Sequence, residues 1–132
     1  MPNPSTPNLR ELHDTIVRKA AETIFRKQKV VINPTGNEVV SVGDSYPDLV
    51  VYEVLSLKPF IARNEPSMVG EVEVEDHITE EMVAKWKKIA NLGIDKLILI
   101  IPETTKDDAI KKTKDIEDKI EIHTYNEKLF IR

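Results

Sequence analysis

Leu97-Ile98-Leu99-Ile100-Ile101 is the longest unbroken apolar run in the chain, and Pro102 stops it. Five residues fall far short of the ~20 that cross a bilayer. They suit a strand buried inside a protein. Such a strand needs helices and further strands to cover it, and 132 residues, 40% of them hydrophobic, supply one core of ordinary size. The chain therefore reads as a single α/β domain over residues 9–132, preceded by a proline-rich lead over residues 1–8.

Before that run, Leu9, Leu12, Ile16, Ala20 and Ile24 recur at helical spacing, with Val17 and Phe25 widening the stripe. This predicts a helix over 9–28, with Asn8 as N-cap and Glu11 three residues on. Three strands are expected next: 29–33, 47–54 and 68–75. Pro34-Thr35-Gly36-Asn37 marks a turn between the first two, and Pro47 stands at the head of the second, where proline is tolerated. A helix over 79–92 follows, with Met82, Val83, Trp86, Ile89 and Ala90 inward, Thr79 or Asp76 as cap, and Gly93 just past its end. The buried strand 96–101, a charged helix 106–118 and a strand 119–124 complete the order α-β-β-β-α-β-α-β.

Several function classes are excluded or disfavoured. The chain has no cysteine, which removes disulfides, thiolate catalysis and Cys-based zinc sites. Its glycines form neither a P-loop nor a dinucleotide fingerprint. The start Met1-Pro2-Asn3-Pro4 carries no secretion signal, so a cytoplasmic protein without a membrane partner is expected. Net charge is −4, which is not the footprint of a protein coated for nucleic acid. Basic residues nevertheless cluster over 10–29 and at Lys85, Lys87 and Lys88. Each cluster reads as a phosphate-facing surface or as a solvated helix face.

The stretch Glu71-Val72-Glu73-Val74-Glu75 carries the chemistry. Strand side chains alternate, so the glutamates share one face and the valines the other. Stacked carboxylates repel unless water or a cation intervenes, and a hard divalent cation takes such oxygen ligands. Read alone, the alternation fits a solvated acidic face better than a metal site.

Its context changes that balance. Pro47-Asp48 opens the second strand, and the acidic motif follows 23 positions later on the third (71 − 48 = 23). Trp86 to Gly93 then precedes an apolar strand ending in Ile100-Ile101-Pro102. Over residues 9–124 this pattern resembles the PD-(D/E)XK nuclease superfamily, the restriction-endonuclease-like fold, whose α-β-β-β-α-β core would here carry a further helix and a terminal strand. The resemblance implies that Asp48, Glu71 and the Val72 carbonyl hold Mg²⁺ or Mn²⁺. Glu73 stands where the family has lysine. Glutamate cannot offset phosphate charge, but it can act as a base toward water or bind a second metal. Restriction enzymes of the superfamily with an E-x-E motif stay active. Lys85 or Lys88 on the next helix would supply the missing charge. Glu11 or His13 on the first helix would add a ligand, and a shifted register would make Glu73 and Glu75 the working pair.

The expected function is metal-dependent cleavage of DNA phosphodiesters. Arg18, Lys19 and Lys88 would hold the backbone, binding would weaken steeply with salt, and a homodimer would present one site per strand. The alternatives are a catalytically silent module of the same fold that binds nucleic acid or a protein partner, and a regulatory domain that uses the acidic strand only for ions. Trp86 is expected in the core and His77 in a turn or cap. His123 is expected at the surface. Tyr46 is read either as a backbone contact or as strand-edge packing.

Overall fold

The computed structural model describes residues 9–26, 28–33, 35, 38–53 and 66–132. The lead over 1–8 with its Asn8 cap, Val54, and the loop before Pro66 lie outside them. The elements are α1 (Leu9–Thr23), β1 (Lys29–Ile32), β2 (Leu49–Tyr52), β3 (Met68–Val72), α2 (Glu80–Ala90), β4 (Lys96–Pro102), α3 (Lys106–Lys112) and β5 (Ile120–Tyr125). No helix among the described residues is long and apolar enough to cross a membrane.

The strands form one mixed sheet in the order β1-β2-β3-β4-β5. β1, β2 and β3 pair antiparallel, while β3, β4 and β5 run parallel. Leu97 to Ile101 lie at the sheet's interior and are at most 1% exposed. Burying five such side chains contributes on the order of 10 kcal/mol of transfer free energy, as much as the net stability of a whole domain. Alternation sends Leu97, Leu99 and Ile101 to one face, where they meet Trp86, Ile89 and Ala90 of α2 and Ala109 of α3. Ile98 and Ile100 go to the other, against Ile16, Val17 and Ala20 of α1. The sheet is therefore covered on both faces.

Three boundaries differ from the sequence reading. α1 ends at Thr23 rather than residue 28, because Phe25 turns into the core and is 2% exposed. β3 ends at Val72, so Glu73 and Glu75 lie beyond the strand proper. The helix expected over 106–118 stops at Lys112, and a 3₁₀ segment, kinked at Ile116, continues to Lys119. There the buried Thr113 hydroxyl donates back to the Ala109 carbonyl at 2.7 Å, a bond that competes with regular helix.

α2 begins as expected. The Thr79 hydroxyl accepts the Met82 amide at 3.1 Å, and Glu80 and Glu81 sit at the positive end of the helix dipole. This cap fixes which turn of α2 faces the end of β3.

Candidate metal and phosphate site

Leu49 pairs with Gly70 across β2 and β3. One step further along the same register, Asp48 falls opposite Glu71 (49 + 70 = 48 + 71). Cross-strand partners present their side chains on the same face. The Asp48 charge therefore acts on the Glu71 carboxyl. Gly70 permits this approach, since a Cβ there would meet the Leu49 side chain at 2.9 Å.

Asp48 is held from three directions. Its Oδ2 accepts the Val72 amide at 2.8 Å and lies 3.1 Å from His13 Nε2 on α1. Its backbone carbonyl accepts the Asn33 amide at 3.0 Å. A strand residue's N–H and C=O point to the same neighbour, so the Val72 carbonyl also faces the Asp48 side. The Glu73 amide, one residue on, donates the opposite way to Ile100 at 3.0 Å.

Glu71 is 1% exposed, and its Oε1 has no hydrogen-bond partner among the described residues. Its other oxygen lies 3.4 Å from Lys85 Nζ on α2. Burial first, then the neighbouring Asp48 charge, push the Glu71 carboxyl well above the usual range. Lys85 answers in kind: burial pulls its pKa down, but Glu71, Glu73 and Asp48 outweigh that and raise it. Burial also raises Glu73, partly offset by the Trp86 N–H.

Glu73 is fixed by its neighbours. Trp86 Nε1 donates to its Oε1 at 3.1 Å and the Tyr125 hydroxyl donates to its carbonyl at 2.7 Å. Trp86 is thus the core residue expected, with its one polar atom spent on the acidic motif.

The remaining sequence candidates divide. Lys85 is at the site. Lys88 is not; it pairs with Asp44 at 2.8 Å. Glu11 is exposed and His13 takes the inward place, because residues two apart on a helix do not share a face. Arg18 lines a separate hollow with Asp14, Val17 and Ile32, and Lys19 is exposed. Neither lines the cleft; Arg10 and Lys85 are the cations that do. Glu75 is exposed at the rim, so Glu71 rather than Glu75 is the glutamate opposite Asp48. His77 is exposed beside Asp76, 3.0 Å away, and His123 pairs with Glu121 at 2.8 Å.

Asn33 and the pairing of His13 with Asp48 and Asp14 are what sequence reasoning missed; His13 itself was expected as an added ligand. Asn33 is 3% exposed. Its Nδ2 donates to the carbonyls of Val40 and Pro47, at 2.6 and 2.7 Å, and its Oδ1 accepts the amides of Val39 and Val40. It thereby pins the segment that delivers Asp48. His13 lies 3.1 Å from Asp14 on its other nitrogen. Its pKa is lifted to about 9, first by the hydrogen bond to Asp48, against the pull of burial. An asparagine beside a turn signal was the available cue for the first. Nothing in the spacing pointed to the second beyond the position of His13 on the inner half of α1.

Among the described residues no three His, Asp or Glu side chains form a metal cluster. The candidate donor set is two carboxylates and one carbonyl, which suits a hard cation that keeps several waters. The unpartnered Glu71 Oε1 is the buried atom such a cation would satisfy.

No protein-family model matches the chain, and no curated protein matches it.

Proposed function

We propose that this cleft binds Mg²⁺ or Mn²⁺ and hydrolyses phosphodiester bonds of DNA. The observation that carries the reading is the pairing of Asp48 with a buried Glu71 whose Oε1 lacks a partner among the described residues, beside the ammonium of Lys85. Two adjacent carboxylates, one almost fully desolvated, are costly for a fold to keep. A cation bound between them offsets that cost, and when bound it supplies Lewis acidity toward a phosphate and an activated water. Asp48, Glu71 and the Val72 carbonyl would hold it. Lys85 takes the part that the family assigns to the motif lysine, balancing charge on the scissile phosphate from α2 instead of from β3. Glu73, fixed by Trp86 and Tyr125, orients the water as a base.

A second reading is a silent module of the same fold. It is favoured by His13, which already lies against Asp48 Oδ2. The test is incubation with Mg²⁺ or Mn²⁺ and single-stranded, duplex and branched DNA. Cleavage lost in both Asp48→Ala and Glu71→Ala supports the enzyme. DNA binding without cleavage of any substrate supports the silent module.

A further inference from the structure

The cleft above Asp48 is a cavity of about 360 Å³ that reaches from His13 and Lys85 to a mouth between Leu9 and Tyr46. Both mouth residues are large, apolar and 54% exposed. The other aromatic side chains near the site are committed: Trp86 and Tyr125 are buried and bonded to Glu73. Tyr46 is therefore an exposed aromatic side chain two residues from a proposed metal ligand.

The charges of the cleft set what can enter. Arg10, which donates to the Thr35 carbonyl at 2.6 Å, and Lys85 are opposed by Glu38 and Glu75 at the same cavity. The third cation at the cavity, His13, is already paired with Asp48, so few phosphates can be neutralised and electrostatics alone retains a nucleic acid poorly here. Stacking of a base on an aromatic ring gains ~1–3 kcal/mol per base and needs no positive charge. The size points the same way. The cavity stands near the lower end of the ~300–1,000 Å³ range of small-ligand sites, which is room for a nucleotide and not for a duplex. Tyr46 lines this cavity together with Asp48 and Lys85, the groups that stand beside Glu71. Beyond Val74 a second groove is rimmed by Asp76, Glu103 and Glu127, whose charge repels a phosphate backbone and favours the Tyr46 side.

We infer that Tyr46 is a stacking platform for an unpaired base, and that the substrate of this site is single-stranded or unpaired DNA. The inference rests on the nuclease reading for its substrate class. A single strand in one cleft also needs no second copy of the chain.

The test measures binding of a short fluorescein-labelled single strand and of the matching blunt duplex, in EDTA, by fluorescence anisotropy. The expected result is a single strand bound about tenfold or more tighter than the duplex, with a shallow salt slope of roughly −1.4 from two phosphate contacts. Tyr46→Ala should weaken single-strand binding about 5- to 150-fold, the equivalent of one stacked base, and Tyr46→Phe should retain it. A 2-aminopurine in the strand should be quenched by the wild type and by Tyr46→Phe, and not by Tyr46→Ala. Duplex bound as tightly as single strand, or Tyr46→Ala binding as well as wild type, overturns the inference. Quenching without cleavage in Mg²⁺ or Mn²⁺ leaves the stacking site standing and sinks the nuclease reading. Duplex cleavage untouched by Tyr46→Ala does the reverse.

Discussion

Lys85 Nζ on α2 lies 3.4 Å from Glu71 Oε2 on β3. The two residues belong to different elements, and the Thr79 cap of α2 sets the helical turn on which they meet. The lysine is more than half exposed while the glutamate is sealed in. A cation on a mobile stem thus stands over a fixed anion, which is an arrangement for receiving a second anion from solvent.

Lys85→Met tests that role. It keeps the stem and removes the charge, so packing on α2 is preserved. If Lys85 offsets charge on the phosphate, kcat should fall about 10²–10³-fold, as when one transition-state donor is removed, while Lys88→Met should have little effect because Lys88 is turned to Asp44. Equal activity in wild type and Lys85→Met would remove Lys85 from the mechanism.

The pH dependence of stability follows from Glu71 and His13. Each has a folded pKa raised above its unfolded value, so the folded state holds the proton more tightly and stability falls as pH rises. The His13 contribution is fully present below about 6.5 and is lost as pH passes about 9. The Glu71 contribution is full below about 4.5 and fades above it. In EDTA, Tm should therefore drop between pH 6 and pH 9.5. Glu71→Gln should raise Tm at neutral pH by roughly 3–10 °C, because it removes a buried carboxyl that Lys85 offsets only in part and whose burial costs about 1–3 kcal/mol. Excess Mn²⁺ should raise the wild-type Tm and leave Glu71→Gln unmoved, since a ligand stabilises only the state that binds it. Differential scanning fluorimetry across pH reads all three. A wild-type Tm indifferent to Mn²⁺ and Mg²⁺ argues against the metal site.

Asn33 offers a separate handle, because it touches neither metal ligand through its side chain. Asn33→Leu fills a similar volume but leaves the amides of Val39 and Val40 and the carbonyls of Val40 and Pro47 unpaired. An orphaned buried group costs about 1–3 kcal/mol; the bond to the Pro47 carbonyl is buried and the other three are part-buried and reached by water, so a loss of roughly 2–4 kcal/mol in urea unfolding is expected. Asn33→Asp should lose less, since its carboxylate still accepts both amides. If Asn33 positions Asp48, the binding of Mn²⁺ should weaken in Asn33→Asp even where the protein stays folded. Unchanged metal affinity would confine Asn33 to a purely structural role.

The succession of elements was legible because periodicity reports which faces are buried, and here both faces of the sheet are covered by helices with clear apolar stripes. Ile16, Val17 and Ala20 could be assigned to the core from spacing alone, as could Trp86, Ile89 and Ala90. The pairing of Asp48 with Glu71 was legible only through the order of strands around them. Boundaries were less so. Nothing local ends β3 at Val72, and the Thr113 hydroxyl bond to the Ala109 carbonyl, where α3 ends, is one that apolar periodicity does not register. The basic residues misled for a related reason. Arg18, Lys19 and Lys88 are close to the site in sequence and element, but the direction of a side chain around a helix axis depends on how the helix docks. Arg10 and Lys85 turn toward the cleft; the others turn to solvent or to acidic neighbours.

Glu73 decides whether the departure from lysine is a working substitution. Its Oε1 accepts the Trp86 N–H, and a glutamine accepts it equally well. Glu73→Gln should therefore keep Tm within a degree or two while removing the basic oxygen. If Glu73 serves as a base toward water, cleavage should fall about 10²-fold or more; unchanged cleavage would reduce it to a holder of Trp86. Glu73→Lys, which would install the lysine of the motif that the sequence resembles, should not improve activity. It strips Trp86 of its acceptor, leaving a buried donor at a cost of about 1–3 kcal/mol, and brings a second ammonium toward Lys85. The expected outcome is a protein with lower Tm and no gain in rate. A Glu73→Lys variant that is stable and faster would mean that the β3 position, rather than Lys85, is where this cleft needs its positive charge.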